Sequence, residues 1–419
     1  MNLEDAERRL LGLETFGVRL GLHRMRRLLA ELGDPQRRFP SIHVVGTNGK
    51  SSTVRMTAAI LRRHGLRAGA YLSPHLVSFA ERVRVDDEDV DGAATAEAVH
   101  RALDAAEAVE TGLEAGDHVT QFEVLTAAAF DHLARADVDA AVVEAGLGGR
   151  LDATNVLPSR VQVLTNVSLE HTRLLGSTVR AIAEQKLAVV QPGATLVVGA
   201  GLHPDALAVA EEVAAERGAR LVVAPPDADL PPGAALAARG DFQRRNLAVA
   251  AEAARAFLGR LDAAALRAAA ETVAVPGRFE VVDPADGGAT VVLDGAHNPA
   301  GIAALAEALP AFVGGRRLVA CVAVLRDKDA AAMLRELLPL CDAVVATAAH
   351  SPRALPAADV ERAARVAGFG GAVEVVDEPR AALEHARALA GPGGVALATG
   401  SIYLVADLLR PADRVGSTL

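Results

Sequence analysis

Short apolar runs alternate with longer stretches in which apolar residues recur every three or four positions, almost throughout the chain. This alternation predicts repeated strand–helix units and α/β architecture. The first strand is expected at 42–45. A helix over 52–64 follows, with Val54, Ala58 and Leu61 on one face and Gly65 as its stop. Further strands are expected at 67–72, 139–144, 161–166, 195–199 and 220–224. The turn-rich stretch 283–288, Asp-Pro-Ala-Asp-Gly-Gly, reads as a linker. A second series of strands is expected at 290–293, 317–324, 343–347, 372–376 and 395–398, with Pro299 as the first residue of a helix. Two α/β domains result, 1–284 and 289–419.

Composition narrows the function. The 419 residues are 51% hydrophobic, too apolar for disorder and enough for two or three cores. The longest uncharged apolar stretches, 187–202 and 391–406, contain Gly and Pro and read as strand–turn pieces rather than membrane spans. The charged, amphipathic N-terminus does not read as a secretory signal. Cys321 and Cys341 make no metal or redox spacing. A soluble cytoplasmic protein with no membrane partner is expected. A net charge of −10, 3% aromatic residues and no Trp weigh against nucleic acid as the partner. Only Lys50, Lys186 and Lys328 are lysines; the other forty basic residues are Arg. Those three positions are therefore candidates for chemistry that requires a compact primary amine.

The strongest local signal is Gly46-Thr-Asn-Gly-Lys-Ser-Ser52, between a strand and a helix. Backbone N–H groups of such a loop, with a helix N-terminus behind them, cradle phosphate oxygens, and Lys50 would reach the terminal phosphates. Strict P-loop spacing requires Gly at 44, where Val44 stands, so the loop is a variant. Ser73, Glu144 and His171 each sit just past a predicted strand end. Singly they read as a turn residue, a surface carboxylate and a loop histidine. Together they make a hard-metal set at the carboxyl edge of a parallel sheet. Residues 144–155, Glu-Ala-Gly-Leu-Gly-Gly-Arg-Leu-Asp-Ala-Thr-Asn, form a glycine-rich polar segment after a buried strand. It reads as a structural turn or as a place of close approach to a ligand. Lys186 on a helix is a solvated cation or, if partly buried, an amine able to lose its proton. In the second domain, Asp294-Gly-Ala-His-Asn-Pro299 follows a strand and opens a helix, and Lys328 lies in a short charge run.

These blocks resemble the folylpolyglutamate synthase/dihydrofolate synthase family of the Mur ligase superfamily, from Gly46 to about Tyr403. All three Lys and five of the six Asn fall within them. The resemblance implies a P-loop-type N-terminal ATPase domain and a smaller Rossmann-like C-terminal domain, with the active site in the cleft between them. It implies that Thr47, Asn48, Gly49, Lys50, Ser51 and Ser52 hold the triphosphate of ATP, with Asn246, Arg278 and Asp294 as further nucleotide contacts. Ser73, Glu144 and His171 would hold Mg²⁺, and a carbamylated Lys186 would serve a second Mg²⁺. Thr120, Phe122, Glu123, Arg150, Leu151 and Asp152 would face the pterin of dihydropteroate or a reduced folate. His297, Lys328, Ser351 and Arg353 would lie around L-glutamate or phosphate, with Lys50, Lys186 and His297 catalytic. Ser51 replaces the family's small Gly, Glu170 an Asp, Gln185 a Glu and Phe242 a His. The activity implied is ATP-dependent addition of L-glutamate through an acyl phosphate, by a monomer. A Mur-type ligase acting on a non-folate acid is the alternative. A nucleotide switch would leave 294–299 without a role, and a dinucleotide oxidoreductase lacks its glycine fingerprint.

Overall fold

The computed structural model describes residues 2–13, 21–230, 234–283 and 287–411, arranged as two compact units. One comprises residues 1–237 and 244–273, the other 238–243 and 274–419.

Among the described residues the first unit is built on eight strands: β1 (Ser41–Val45), β2 (Ala68–Tyr71), β3 (Val83–Val85), β4 (Glu88–Asp89), β5 (Ala140–Glu144), β6 (Val161–Leu164), β7 (Thr195–Val198) and β8 (Arg220–Val223). Their order is β4-β3-β2-β5-β1-β6-β7-β8. From β2 through β8 the pairing is parallel, and β3 and β4 add an antiparallel edge. The parallel strands β1, β5 and β6 are buried at every position, as expected for strands covered by helices on both faces. One apolar layer joins Phe39, Tyr71 and Phe130, whose rings meet edge-on at 6.2–6.3 Å. The chain leaves β1 toward β2 and β5 on one side, then crosses to β6 on the other. That reversal makes a crevice at the carboxyl ends of β1, β5 and β6, where ligands bind in sheets of this kind.

Among the described residues the second unit has six strands: β9 (Glu280–Val282), β10 (Thr290–Leu293), β11 (Leu318–Val322), β12 (Ala343–Ala346), β13 (Ala372–Val375) and β14 (Val395–Thr399), ordered β13-β12-β11-β14-β10-β9. Every predicted strand is present. The short β3, β4 and β9 were not expected; four of their eight residues are charged, so periodicity did not expose them.

The expected boundary at 284–289 is corrected. Residues 274–283 belong to the second unit because β9 pairs antiparallel with β10. The stretch read as a linker is thus a strand-to-strand connection, and its residues 284–286 lie outside the described residues.

Candidate functional site

The loop after β1 is shaped by two glycines with positive φ, Gly46 (155°) and Gly49 (81°). A side chain on Gly46 would run into the Thr165 hydroxyl, and one on Gly49 into the Asn246 amide oxygen. Only glycine fits these close approaches. Gly49 caps the helix Lys50–Arg63 with no side-chain capping bond. The loop is held from the β6 side: Thr47 N donates to Asn166 O (2.9 Å) and Asn48 N to Asn166 Oδ1 (2.9 Å). Thr165 Oγ1 and Asn166 Nδ2 donate to Asn48 O, at 2.7 and 3.0 Å. Lys50 folds back, its Nζ donating to Thr47 O at 3.1 Å.

Register places Glu144, the last residue of β5, beside Val44 of β1. Its carboxylate is 1% exposed, accepting from Ser51 Oγ (3.0 Å) through Oε1 and from Ser73 N (3.2 Å) through Oε2. Ser51, Ser73 and Glu144 are therefore brought together, while His171 sits exposed in a left-handed conformation at the start of the turn Thr172–Leu175. Among the described residues no three His, Cys, Asp or Glu side chains gather as a metal-binding group. The oxygen donors at Glu144 suit a hard cation that takes few protein ligands and completes its shell from phosphate and water. Lys186 is also buried, its Nζ donating to Gly46 O at 2.7 Å. Burial, and then repulsion from Lys50, push its pKa down to about 7.

The glycine-rich segment lies over the same helix end as Lys186. A side chain on Gly149 would strike the Gln185 and Lys186 carbonyls, and Arg150 N donates to Gln185 O (2.8 Å). Arg150 and Leu151 are exposed, whereas Asp152 turns inward, accepting from Leu147 N (2.7 Å) and Thr154 N (3.0 Å). Burial raises the Asp152 pKa against these hydrogen bonds. Thr120 and Glu123 form a capping box at the start of the helix Gln121–Arg135. Glu123 also accepts from the buried Arg24 at 3.2 Å. Phe122 lies against Gly146. Asn246, on the helix Asp241–Leu258, packs on Gly49.

In the second unit, Asp294 follows β10 and is buried, accepting from Phe279 N and Ala296 N, both at 2.8 Å. Burial raises its pKa although Arg278 pulls the other way. The Arg278 guanidinium lies against Gly295. His297 Nδ1 is 2.9 Å from Gly295 O, so that nitrogen carries the proton. Asn298 caps the helix Pro299–Val313. Lys328 and Arg353 converge on Asp327, at 3.7 and 2.8 Å, and Ser351 Oγ accepts from Arg353 N (3.3 Å).

Sequence reading missed Arg24, which gave no local signal, and His43, whose signal was an imidazole inside an apolar strand. Among the described residues no helix is long and apolar enough to cross a membrane.

The Mur ligase, glutamate ligase domain family matches residues 277–402. A Bacillus subtilis dihydrofolate synthase/folylpolyglutamate synthase is 30% identical over 97% of this chain and 98% of its own. A Haloferax volcanii protein, described as a probable bifunctional folylpolyglutamate synthase/dihydropteroate synthase, is 36% identical over 97% of this chain. The match spans half of that relative's length. The structure of Mycobacterium tuberculosis folylpolyglutamate synthase complexed with ADP superposes with a TM-score of 0.89, at 32% identity and 97% coverage of both chains. A bifunctional folylpolyglutamate synthase/dihydrofolate synthase with Mn, AMPPNP and L-glutamate bound gives 0.83, at 28% identity, covering 98% of this chain and 97% of that one.

Proposed function

The chain belongs to the folylpolyglutamate synthase/dihydrofolate synthase family, and from that premise we propose that it joins L-glutamate to dihydropteroate, or to the γ-carboxylate of a reduced folate, at the expense of ATP. The observation that carries the reading is the cluster at the crevice of the first sheet. A glycine loop on a helix N-terminus is bracketed there by Lys50, the buried amine of Lys186 and the Glu144 carboxylate.

A free carboxylate is a poor acyl donor, so the γ-phosphoryl group of ATP is first transferred to it, giving an acyl phosphate and ADP. The amine of L-glutamate then attacks the acyl carbon, and phosphate leaves as the amide forms. The first step brings anions together. Thr47 and Asn48 spend their backbone N–H groups on Asn166, so Gly49 to Ser52 present theirs and the positive end of a helix to the phosphates, and Lys50 swings from Thr47 O to screen the transferring group. Glu144, Ser73 and His171 are the residues that would hold a divalent cation, whose charge supplies electrostatic stabilisation of the phosphates when bound. Asn246, Arg278 and Asp294 are proposed nucleotide contacts, and Thr120 to Glu123 with Arg150 to Asp152 the acyl-substrate wall. In that wall Phe122, Arg150 and Leu151 offer surface, while Thr120, Glu123 and Asp152 fix its shape. His297, Lys328, Ser351 and Arg353 are assigned to glutamate or departing phosphate.

A pKa near 7 leaves much of Lys186 as the free amine at neutral pH, the form that reacts with CO₂ to give a carbamate and a proton. We therefore place a carbamate at Lys186 as the anchor for a second cation. The test of the whole reading is the product mass after incubation with Mg-ATP, L-glutamate and either dihydropteroate or tetrahydrofolate. One-glutamyl additions are expected. None with either acceptor, from folded protein that binds ATP, would transfer the assignment to a ligase for another acid.

A further inference from the structure

His43 is 1% exposed in the middle of β1, three residues before Gly46. Its Nε2 lies 2.8 Å from Thr154 Oγ1, and Thr154 Oγ1 in turn donates to Asp152 Oδ1. The direction of this chain follows from counting protons. Asp152 already accepts from Leu147 N and Thr154 N, so its carboxylate is the acceptor and the Thr154 hydroxyl proton points to it. The lone pair left on Thr154 must then accept from His43 Nε2–H. His43 Nε2 thus carries a proton, and since burial pushes the pKa down to about 4 the imidazole at neutral pH is the Nε2–H tautomer.

Asp152 ties residue 147 to residue 154 and closes the glycine-rich segment into a turn. The opposite side of that turn rests on the helix Val179–Leu187 through Arg150 N to Gln185 O, and Asn155 Nδ2 donates across it to Arg150 O at 3.0 Å. Arg150 and Leu151, which offer their side chains outward, are therefore placed by a carboxylate whose own orientation is set from beneath.

We infer that His43 is a positioning residue: through Thr154 and Asp152 it holds the segment that presents Arg150 and Leu151 to the acyl substrate. The inference rests on the folate-ligase reading for its substrate, and on the hydrogen bonds alone for its structural part. The test uses His43→Leu and Thr154→Val, which keep apolar bulk but break the relay, against His43→Gln and Thr154→Ser, which keep a donor and a hydroxyl. KM for the pterin substrate should rise about tenfold in the first pair, with ADP affinity unchanged by calorimetry, and return to within about threefold of wild type in the second. Amide hydrogen exchange at Leu147 and Thr154 should speed up in the first pair only. Lowered thermal stability with unchanged KM and unchanged exchange would reduce His43 to packing and overturn the proposal. If wild type adds glutamate to neither acceptor, the function reading fails by itself. The exchange result then decides the positioning role.

Discussion

Lys186 in the first unit and Asp294 in the second are both buried charges at the carboxyl end of a parallel sheet, and burial pushes both toward neutrality. They differ in how they are held. Asp294 has two backbone amides at 2.8 Å and Arg278 opposing the shift, so its carboxylate ties the residue before β9 to the turn that follows β10. Lys186 has the Gly46 carbonyl at 2.7 Å, and Lys50 nearby makes its protonation harder. A carboxylate satisfied by fixed amides keeps a shape. A desolvated amine next to another cation is poised for chemistry. One sheet edge carries a buried amine beside a second cation, and the other a carboxylate fixed by backbone amides.

The sharpest break in that contrast is Lys50→Ala. Turnover, read as glutamyl product by mass spectrometry, should fall by about 10³-fold. Thermal stability should barely move, because Lys50 Nζ donates to a carbonyl of its own loop, Thr47 O. A variant that turns over normally would remove the nucleotide assignment.

Lys186→Met comes next, keeping the buried bulk without the amine. We expect kcat to drop by about 10²-fold. A carbamate carbon resonance, present in wild type equilibrated with ¹³C-bicarbonate, should vanish. Lys186→Arg should not rescue, since a guanidinium forms no carbamate at neutral pH.

Asp294→Asn probes the anchor. An amide keeps one acceptor oxygen and turns an NH₂ toward a backbone N–H, so denaturant unfolding should show about 1–3 kcal/mol lost. ADP affinity should weaken with it if the turn serves the nucleotide.

The change that leaves activity at neutral pH least affected is in the pH profile of stability. His43 has a folded pKa of about 4 against an ordinary 6.5, so between these values the unfolded chain binds the proton and the folded chain does not. Its contribution is thus full above 6.5 and lost as pH falls toward 4, at a slope of up to about 1.4 kcal/mol per pH unit. His43→Gln should flatten unfolding curves in that window, and an unchanged profile would mean the imidazole is hydrated.

Much of this was written in the chain. Alternating apolar runs located every long strand, because strands buried on both faces leave an uninterrupted apolar trace. Val-Arg-Val at β3 and the two acidic residues of β4 carry no such trace, and β9 became visible only once paired with β10. The glycine loop was legible from its spacing, since positive φ and close approach exclude other residues. The inward turn of Asp152 was not. Nothing in Arg-Leu-Asp tells which polar side chain faces solvent until Leu147 and Thr154 are brought to it. Thr120 and Glu123 show the same limit: their spacing fits a capping box, but the partner Arg24 lies 99 residues away along the chain.

The sequence by itself determined the strand–helix alternation, the glycine loop and the family, because each depends on short-range spacing. Tertiary structure decided which charges are buried and what holds them. Lys186 meets Gly46 across 140 residues, His43 meets Thr154 across 111, and Glu144 meets Ser51 across 93. Those pairings, and the protonation states that follow, depend on the order in which β5, β1 and β6 lie side by side, which no local pattern records.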